Sequence, residues 1–239
     1  MILPPLPPPG RAALLLDIDG TLLDFAATPA AVVVPPDLAP TLRRLRERLG
    51  GALGLISGRP VAEVDALFPE IAQAVAGEHG AVLRPAPGAA LLRPDLPALP
   101  ATWLAAATRL AAAHPGVLLE RKSRGVVLHY RGAPAAGPAL GAGLAALVGG
   151  SASFSVQPAQ MAWELRPRGA DKGTALVALM RLPPFAGRLP VFLGDDTTDR
   201  DAIAAAQALG GVGIFVPDTF AAPASVRRWL HDLATHGWT

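Results

Sequence analysis

Ala12-Ala13-Leu14-Leu15-Leu16-Asp17-Ile18-Asp19-Gly20-Thr21 runs through five consecutive apolar residues and then turns sharply polar. A short run with no polar position suits a strand buried on both faces of a parallel sheet, which requires helices on both sides. The residues that follow it then sit at the strand's carboxyl end, where open α/β sheets bind ligands. Two further segments have the same form. Residues 52–56 lead into Ser57-Gly58-Arg59, and residues 190–193 lead into Gly194-Asp195-Asp196.

Working outward, Leu38, Leu42, Leu45 and Leu49 share one face of a predicted helix over 37–49. Residues 60–67 form a second helix with proline in its first turn. Residues 72–76 form a short strand, and 81–92 a hairpin around 85–88. The middle of the chain differs. A helix over 101–113, strands over 117–121 and 125–130, a helix over 138–148 and strands over 153–157 and 161–166 make a helix–strand–strand unit used twice. After it the first pattern resumes, with helices over 171–182, 199–209 and 225–234 and strands over 190–193 and 212–216. The expected fold class is α/β: a doubly wound, mostly parallel sheet interrupted by an inserted α+β module. Residues 1–95 and 167–239 form the core, and residues 96–166 the insertion.

Composition narrows the function. The 239 residues are 51% hydrophobic, enough for a sizeable core. The absence of cysteine excludes disulfides, zinc–thiolate sites and thiol nucleophiles. A net charge of +2, with its largest basic cluster (Arg43, Arg44, Arg46, Arg48) on a helix face, argues against a nucleic-acid partner. Residues 133–163 carry no charge, but their prolines and glycines and few large aliphatics argue against a membrane span. The proline-rich segment 1–10 lacks a signal-peptide pattern and reads as extended or mobile, so a soluble, cytoplasmic protein is expected.

Of 21 basic residues only Lys122 and Lys172 are lysine, and seven of the thirteen aspartates fall within 17–24 and 195–201. Lysine supplies a compact point charge where arginine supplies a planar fork. Aspartates gathered at one sheet edge repel one another unless a cation neutralises them, and an all-oxygen donor set favours Mg²⁺. A metal, hydroxyls and a lysine together suit a phosphoryl group. Asp17 is then the nucleophile, and Asp19 protonates the leaving alcohol and deprotonates the attacking water. Thr21, Ser57 and Gly58 donate to phosphate oxygens, and Lys172 offsets charge on the phosphate and on Asp17. Asp195, Asp196 and Asp199 hold the metal beside Asp17 and Asp19. Each motif alone is also explained by turn or cap chemistry. The ordered set is not.

With Asp17-Ile18-Asp19-Gly20-Thr21, Ser57, Lys172 and Gly194-Asp195-Asp196-Thr197-Thr198-Asp199 in this order, the chain resembles the haloacid dehalogenase superfamily of phosphatases. The insertion then corresponds to that superfamily's α+β cap. Within it the chain is similar to the trehalose-6-phosphate phosphatase family, through Glu120-Arg121-Lys122, His129-Tyr130-Arg131 and Trp163-Glu164-Leu165-Arg166-Pro167. The resemblance implies Mg²⁺-dependent hydrolysis of trehalose 6-phosphate and a functional pairing with a trehalose-6-phosphate synthase. It also implies that Glu120, Lys122, Arg131 and Glu164 reach sugar hydroxyls, with Arg59 and His79 as further contacts. The pattern departs from the family at Arg200, where relatives carry Glu, and at Gln160, where they carry Lys. Gln160 leaves open another sugar phosphate, such as that of sucrose or glucosylglycerol. A noncatalytic sugar-phosphate-binding subunit is the third alternative. For the cap residues, a solvated charged strand face is the plainer account.

Overall fold

The computed structural model describes residues 4–26 and 31–238. The chain forms two compact units, Met1–Arg93 with Asp171–Thr239, and Pro94–Ala170.

The first unit is built on a six-stranded sheet. Its strands are β1 (Ala12–Leu16), β2 (Leu53–Ile56), β3 (Ala74–Gly77), β4 (Val82–Arg84), β9 (Leu189–Gly194) and β10 (Val212–Phe215). They lie in the order β10-β9-β1-β2-β3-β4. All neighbours are parallel except β4, which pairs antiparallel with β3. Every residue of β1 is fully buried, alternating side chains included, so both faces of the sheet are covered. Helix α1 (Leu38–Arg48) packs on α8 (Pro223–His236), and α5 (Lys172–Leu179) packs on α6 (Arg200–Ala208). The short α2 (Val61–Leu67) lies against β3 and β4, and α7 (Val216–Thr219) follows β10. Burying Leu14, Leu15 and Leu16 contributes about 1.5–3 kcal/mol each relative to exposure.

This topology fixes the site. From β1 the chain winds outward through β2 and β3, then returns to the other side of β1 with β9 and β10. Strand order therefore reverses between β1 and β9, and the crevice at such a switch point is where doubly wound sheets bind ligands.

The second unit is a four-stranded antiparallel sheet in the order β5-β6-β8-β7. Its strands are β5 (Leu118–Arg121), β6 (Val126–His129), β7 (Phe154–Ala159) and β8 (Ala162–Pro167), with helices α3 (Ala101–Ala112) and α4 (Gly137–Val148). Val126, Leu128, Leu165 and Phe154 pack with Ala107, Leu140 and Leu144 of the helices. Alternation then sends Glu120, Val127, Glu164 and Gln157 to the opposite face, where register aligns them as one row across all four strands.

The uncharged stretch 133–163 divides into α4 and β7, as expected from the sequence, and α4 ends at Gly149 in a left-handed conformation. No helix among the described residues is long and apolar enough to cross a membrane. Two sequence expectations change. The hairpin over 81–92 reduces to β4 and a single bridge between Leu83 and Leu92. Residues 1–3 of the proline-rich segment lie outside the described residues. From Pro4 onward the segment is held in place rather than mobile, because Leu6 packs on the core and the Trp238 indole donates to the Pro7 carbonyl at 2.6 Å.

Candidate active site

Asp17 is the first residue past β1, and its amide donates to the Leu193 carbonyl of β9 at 3.0 Å. That bond seats its carboxyl between the two strand ends. Lys172 Nζ donates to Asp17 Oδ1 and to Asp199 Oδ1, both at 2.7 Å. Lys172 opens α5 directly after Asp171, whose carboxylate caps the helix by accepting from the Thr174 amide at 2.7 Å. The lysine is 3% exposed, and Asp17 and Asp199 are as deeply buried.

Carboxylate oxygens of Asp17, Asp195 and Asp199 all lie within 4.8 Å of one another. Two glycines make room for this. An added Cβ on Gly20, which adopts φ +84°, would fall 2.1 Å from the Asp195 carboxylate, and one on Gly194 would fall 2.2 Å from the Asp199 carboxyl carbon. Gly20→Ala is therefore expected to displace Asp195. It should lower stability by about 1–2 kcal/mol from the left-handed backbone alone, and weaken any hold of the cluster on a divalent cation. A thermal melt with and without Mg²⁺ checks both, and an unchanged Mg²⁺ effect would show that Asp195 does not hold the ion.

The electrostatics report a site short of positive charge. Burial pushes the Asp17 carboxyl up to about 7, against the pull of Lys172 and with help from Asp195. Burial, then Asp199 and Asp196, push Asp195 up to about 6. Burial and Asp17 push Asp199 up to about 8. Burial opposes the charge on Lys172, but Asp17 and Asp199 outweigh it and hold the ammonium well above the usual lysine range. Three carboxyls with only oxygen donors, raised in this way, fit a hard divalent cation. A cation favours the ionised forms, so its binding must release protons. Mg²⁺ titration at pH 6 should release more protons than at pH 9, where the groups are already ionised. Calorimetry in buffers of different ionisation enthalpy measures this, and equal release at both pH values would contradict it.

The other sequence-predicted residues have different surroundings. The Asp196 carboxylate faces its own turn, accepting from the Thr198 amide and hydroxyl at 2.7 and 2.6 Å and from the Asp199 amide at 3.2 Å. Burial opposes its ionisation, but Lys172 and these bonds hold it below the usual carboxylate range. Asp199 Oδ2 in turn accepts from the amides of Asp195 and Asp196, at 3.1 Å each. Asp19 is also outside the cluster. The Arg59 guanidinium grips both its oxygens, Nε to Oδ2 and Nη2 to Oδ1, at 2.6 Å each. The expected five-carboxylate metal set therefore contains three that converge and two committed to other partners.

Thr21 is fully buried and donates to Asp195 Oδ1 at 3.2 Å. Ser57, at the end of β2, is buried, and its Oγ accepts from the Arg59 amide at 3.2 Å. His79 stands next to it: its amide donates to the Ser57 carbonyl at 3.0 Å, and a Cβ on Gly58 would fall 2.6 Å from its Nε2. Glu78 and His79 both adopt left-handed backbone, with φ 51° and 54°. Such strain is concentrated at functional sites.

In the second unit, Glu120 accepts from Lys122 and pairs with His129 Nε2 at 2.8 Å. Burial opposes its ionisation, but His129 and Lys122 hold it below the usual range. Glu164 faces Arg166 at 3.9 Å, while Arg131 lies exposed in the turn after β6 and Gln160 in the turn between β7 and β8. Sequence reasoning names His129 only within the His129-Tyr130-Arg131 motif, without a role of its own, and does not single out Gln157. Strand register would have found both, since His129 is opposite Leu118, diagonal to Glu120, and Gln157 is opposite Glu164.

The trehalose-phosphatase family model matches residues 15–222. A probable trehalose-phosphate phosphatase of Sinorhizobium fredii is 42% identical over 206 residues, which are 84% of this chain and 76% of that protein. The trehalose-6-phosphate phosphatase of Escherichia coli is 37% identical over 233 residues, 94% of this chain and 87% of that one. The C-terminal domain of C. albicans trehalose-6-phosphate phosphatase shares the fold, with a TM-score of 0.78 at 20% identity over 94% of this chain and 93% of that domain. With a match running from within β1 to the start of α8, the chain belongs to the trehalose-phosphatase family.

Proposed function

We propose that this chain hydrolyses trehalose 6-phosphate to trehalose and inorganic phosphate, with Mg²⁺, through a phosphoryl group carried by Asp17. The observation that carries the reading is the Lys172-pinned cluster of Asp17, Asp195 and Asp199 at the switch point between β1 and β9. Asp17 and Asp195 are the residues that would hold the ion, with Asp199 beside them. When bound, a divalent cation offsets the charge of the phosphate and of the carboxylates, so that two anions can meet.

An oxygen of Asp17 attacks phosphorus, and the bond from phosphorus to the sugar oxygen breaks. Asp19 gives its proton to that departing oxygen. As a carboxylate, Asp19 then takes a proton from water, the water oxygen bonds to phosphorus, and the Asp17–phosphorus bond breaks. Ser57, Thr21 and the Gly58 amide donate to the phosphate oxygens. Lys172 keeps the Asp17 carboxylate oriented and balances its charge. Recognition of the sugar falls to Glu120, Lys122, Arg131 and Glu164, since carboxylates accept from hydroxyls while lysine and arginine donate.

A panel of sugar phosphates tests the substrate. Trehalose 6-phosphate should exceed sucrose and glucosylglycerol phosphates in kcat/KM by at least about 10²-fold, since a site that hydrogen-bonds its substrate's hydroxyls discriminates more strongly than an apolar pocket does. Gln160 favours the second reading, in which another sugar phosphate ranks first, and that ranking would overturn the assignment.

A further inference from the structure

We propose that Arg59 is a positioning residue that fixes the carboxylate of Asp19 for proton transfer, and is not a contact to the sugar. The inference rests on the roles given above to Asp17 and Asp19.

Asp19 stands in the loop after β1 and forms a β-bridge to Leu23. Its carboxylate is oriented by Arg59, which reaches it from the loop after β2, forty residues along the chain. Arg59 is itself tightly held. Its amide donates to Ser57 Oγ at 3.2 Å and its carbonyl accepts from the Glu78 amide at 3.0 Å. Nη1 faces Glu63, in the first turn of α2, at 3.4 Å. The side chain is only 9% exposed, against 27% for Asp19. Nε, Nη1 and Nη2 thus all face carboxylates.

The geometry suits orientation. A guanidinium fork fixes both the position and the plane of a carboxylate, which a point charge cannot do. A carboxylate has about four lone-pair sites. The fork takes one on each oxygen and leaves one on each for the transferred proton. Because Arg59 is anchored on Ser57, the same contact ties the phosphate-gripping loop to the proton-transferring one. Reaction geometry is sensitive to this, since a misplacement of about 1 Å costs on the order of 10²-fold in rate.

The test uses the full Mg²⁺-loaded chain with Arg59→Lys and Arg59→Ala, each first shown by thermal melt to be folded. Arg59→Lys keeps the charge and removes the fork. Activity is read as kcat/KM for trehalose 6-phosphate and for p-nitrophenyl phosphate, whose phenolate departs without a proton. Binding is read as the Kd of trehalose 6-phosphate on an Asp17→Asn background, with and without Arg59→Lys. Both variants should lose on the order of 10²-fold on the sugar phosphate, less than about tenfold on the nitrophenyl ester, and nothing measurable in Kd. A Kd that weakens in step with the rate would make Arg59 a sugar contact and overturn the proposal. Equal losses on both esters would make it a general structural residue, with the same consequence. If the panel ranks another sugar phosphate first, the same comparison is made on that ester, so a wrong sugar is distinguished from a wrong role for Arg59.

Discussion

Asp17→Asn is expected to lower kcat by about 10³-fold or more, the scale seen when a nucleophile is removed, while the metal-free protein melts at or above the wild-type temperature. The two outcomes share a cause. Asparagine keeps the shape of the side chain but cannot form the bond to phosphorus. It also removes one of three carboxyls, two of them buried, that crowd one another. Burial and Asp195 already push Asp17 up to about 7, so above that pH its ionised form opposes folding in the absence of a cation. The sign follows from proton counting: the folded state binds more protons than the unfolded chain between the ordinary carboxyl range and about 7, so Asp17 lowers stability as pH rises through that window. Lys172 retains Asp199 as a partner in the variant. Steady-state kinetics and a thermal melt in chelator at pH 8 measure the pair. A variant that retained activity would remove Asp17 from the mechanism, whatever its stability.

The second large effect is at Lys172. Replacing it with Met leaves Asp17 and Asp199 buried without their shared cation. Breaking a buried ion pair from one side costs about 3–5 kcal/mol, because the remaining charge is uncompensated. Urea unfolding in the absence of Mg²⁺ should show a loss of that size, and turnover should fall by at least about 10²-fold with the loss of preorganised charge. Lys172→Arg should not restore activity, since a planar fork cannot occupy the place of a compact ammonium between two carboxylates. A loss below about 1 kcal/mol would place Lys172 among ordinary surface pairs and contradict its role as the pin of the cluster.

Lys172 was legible in the sequence because the chain spends lysine at only two positions, and Asp17 and Asp195 because each follows an apolar run. Those runs gave the parallel strands directly, since burial on both faces removes every polar position. The partition of the carboxylates was less legible. Asp195, Asp196 and Asp199 share one short segment, yet Asp195 and Asp199 join the cluster, Asp199 while also bridging Lys172 and two amides, and Asp196 caps a turn. Turn geometry decides this, and residue type does not. The Arg59–Asp19 fork links two strand ends forty residues apart, so it depends on strand order in space. The hold of Trp238 on Pro7 likewise joins two termini, with no local pattern to announce it.

In the proposed reaction Asp17 itself carries the phosphoryl group. Rapid acid quench of wild-type enzyme turning over trehalose 6-phosphate with Mg²⁺, followed by peptide mass analysis, tests it most directly. A peptide containing Asp17 should be heavier by one phosphoryl group, and this species should be absent after chelation and absent in Asp17→Asn. Phosphate release at full rate with Asp17 unmodified at every quench time, or with the phosphoryl group on another residue, would contradict it.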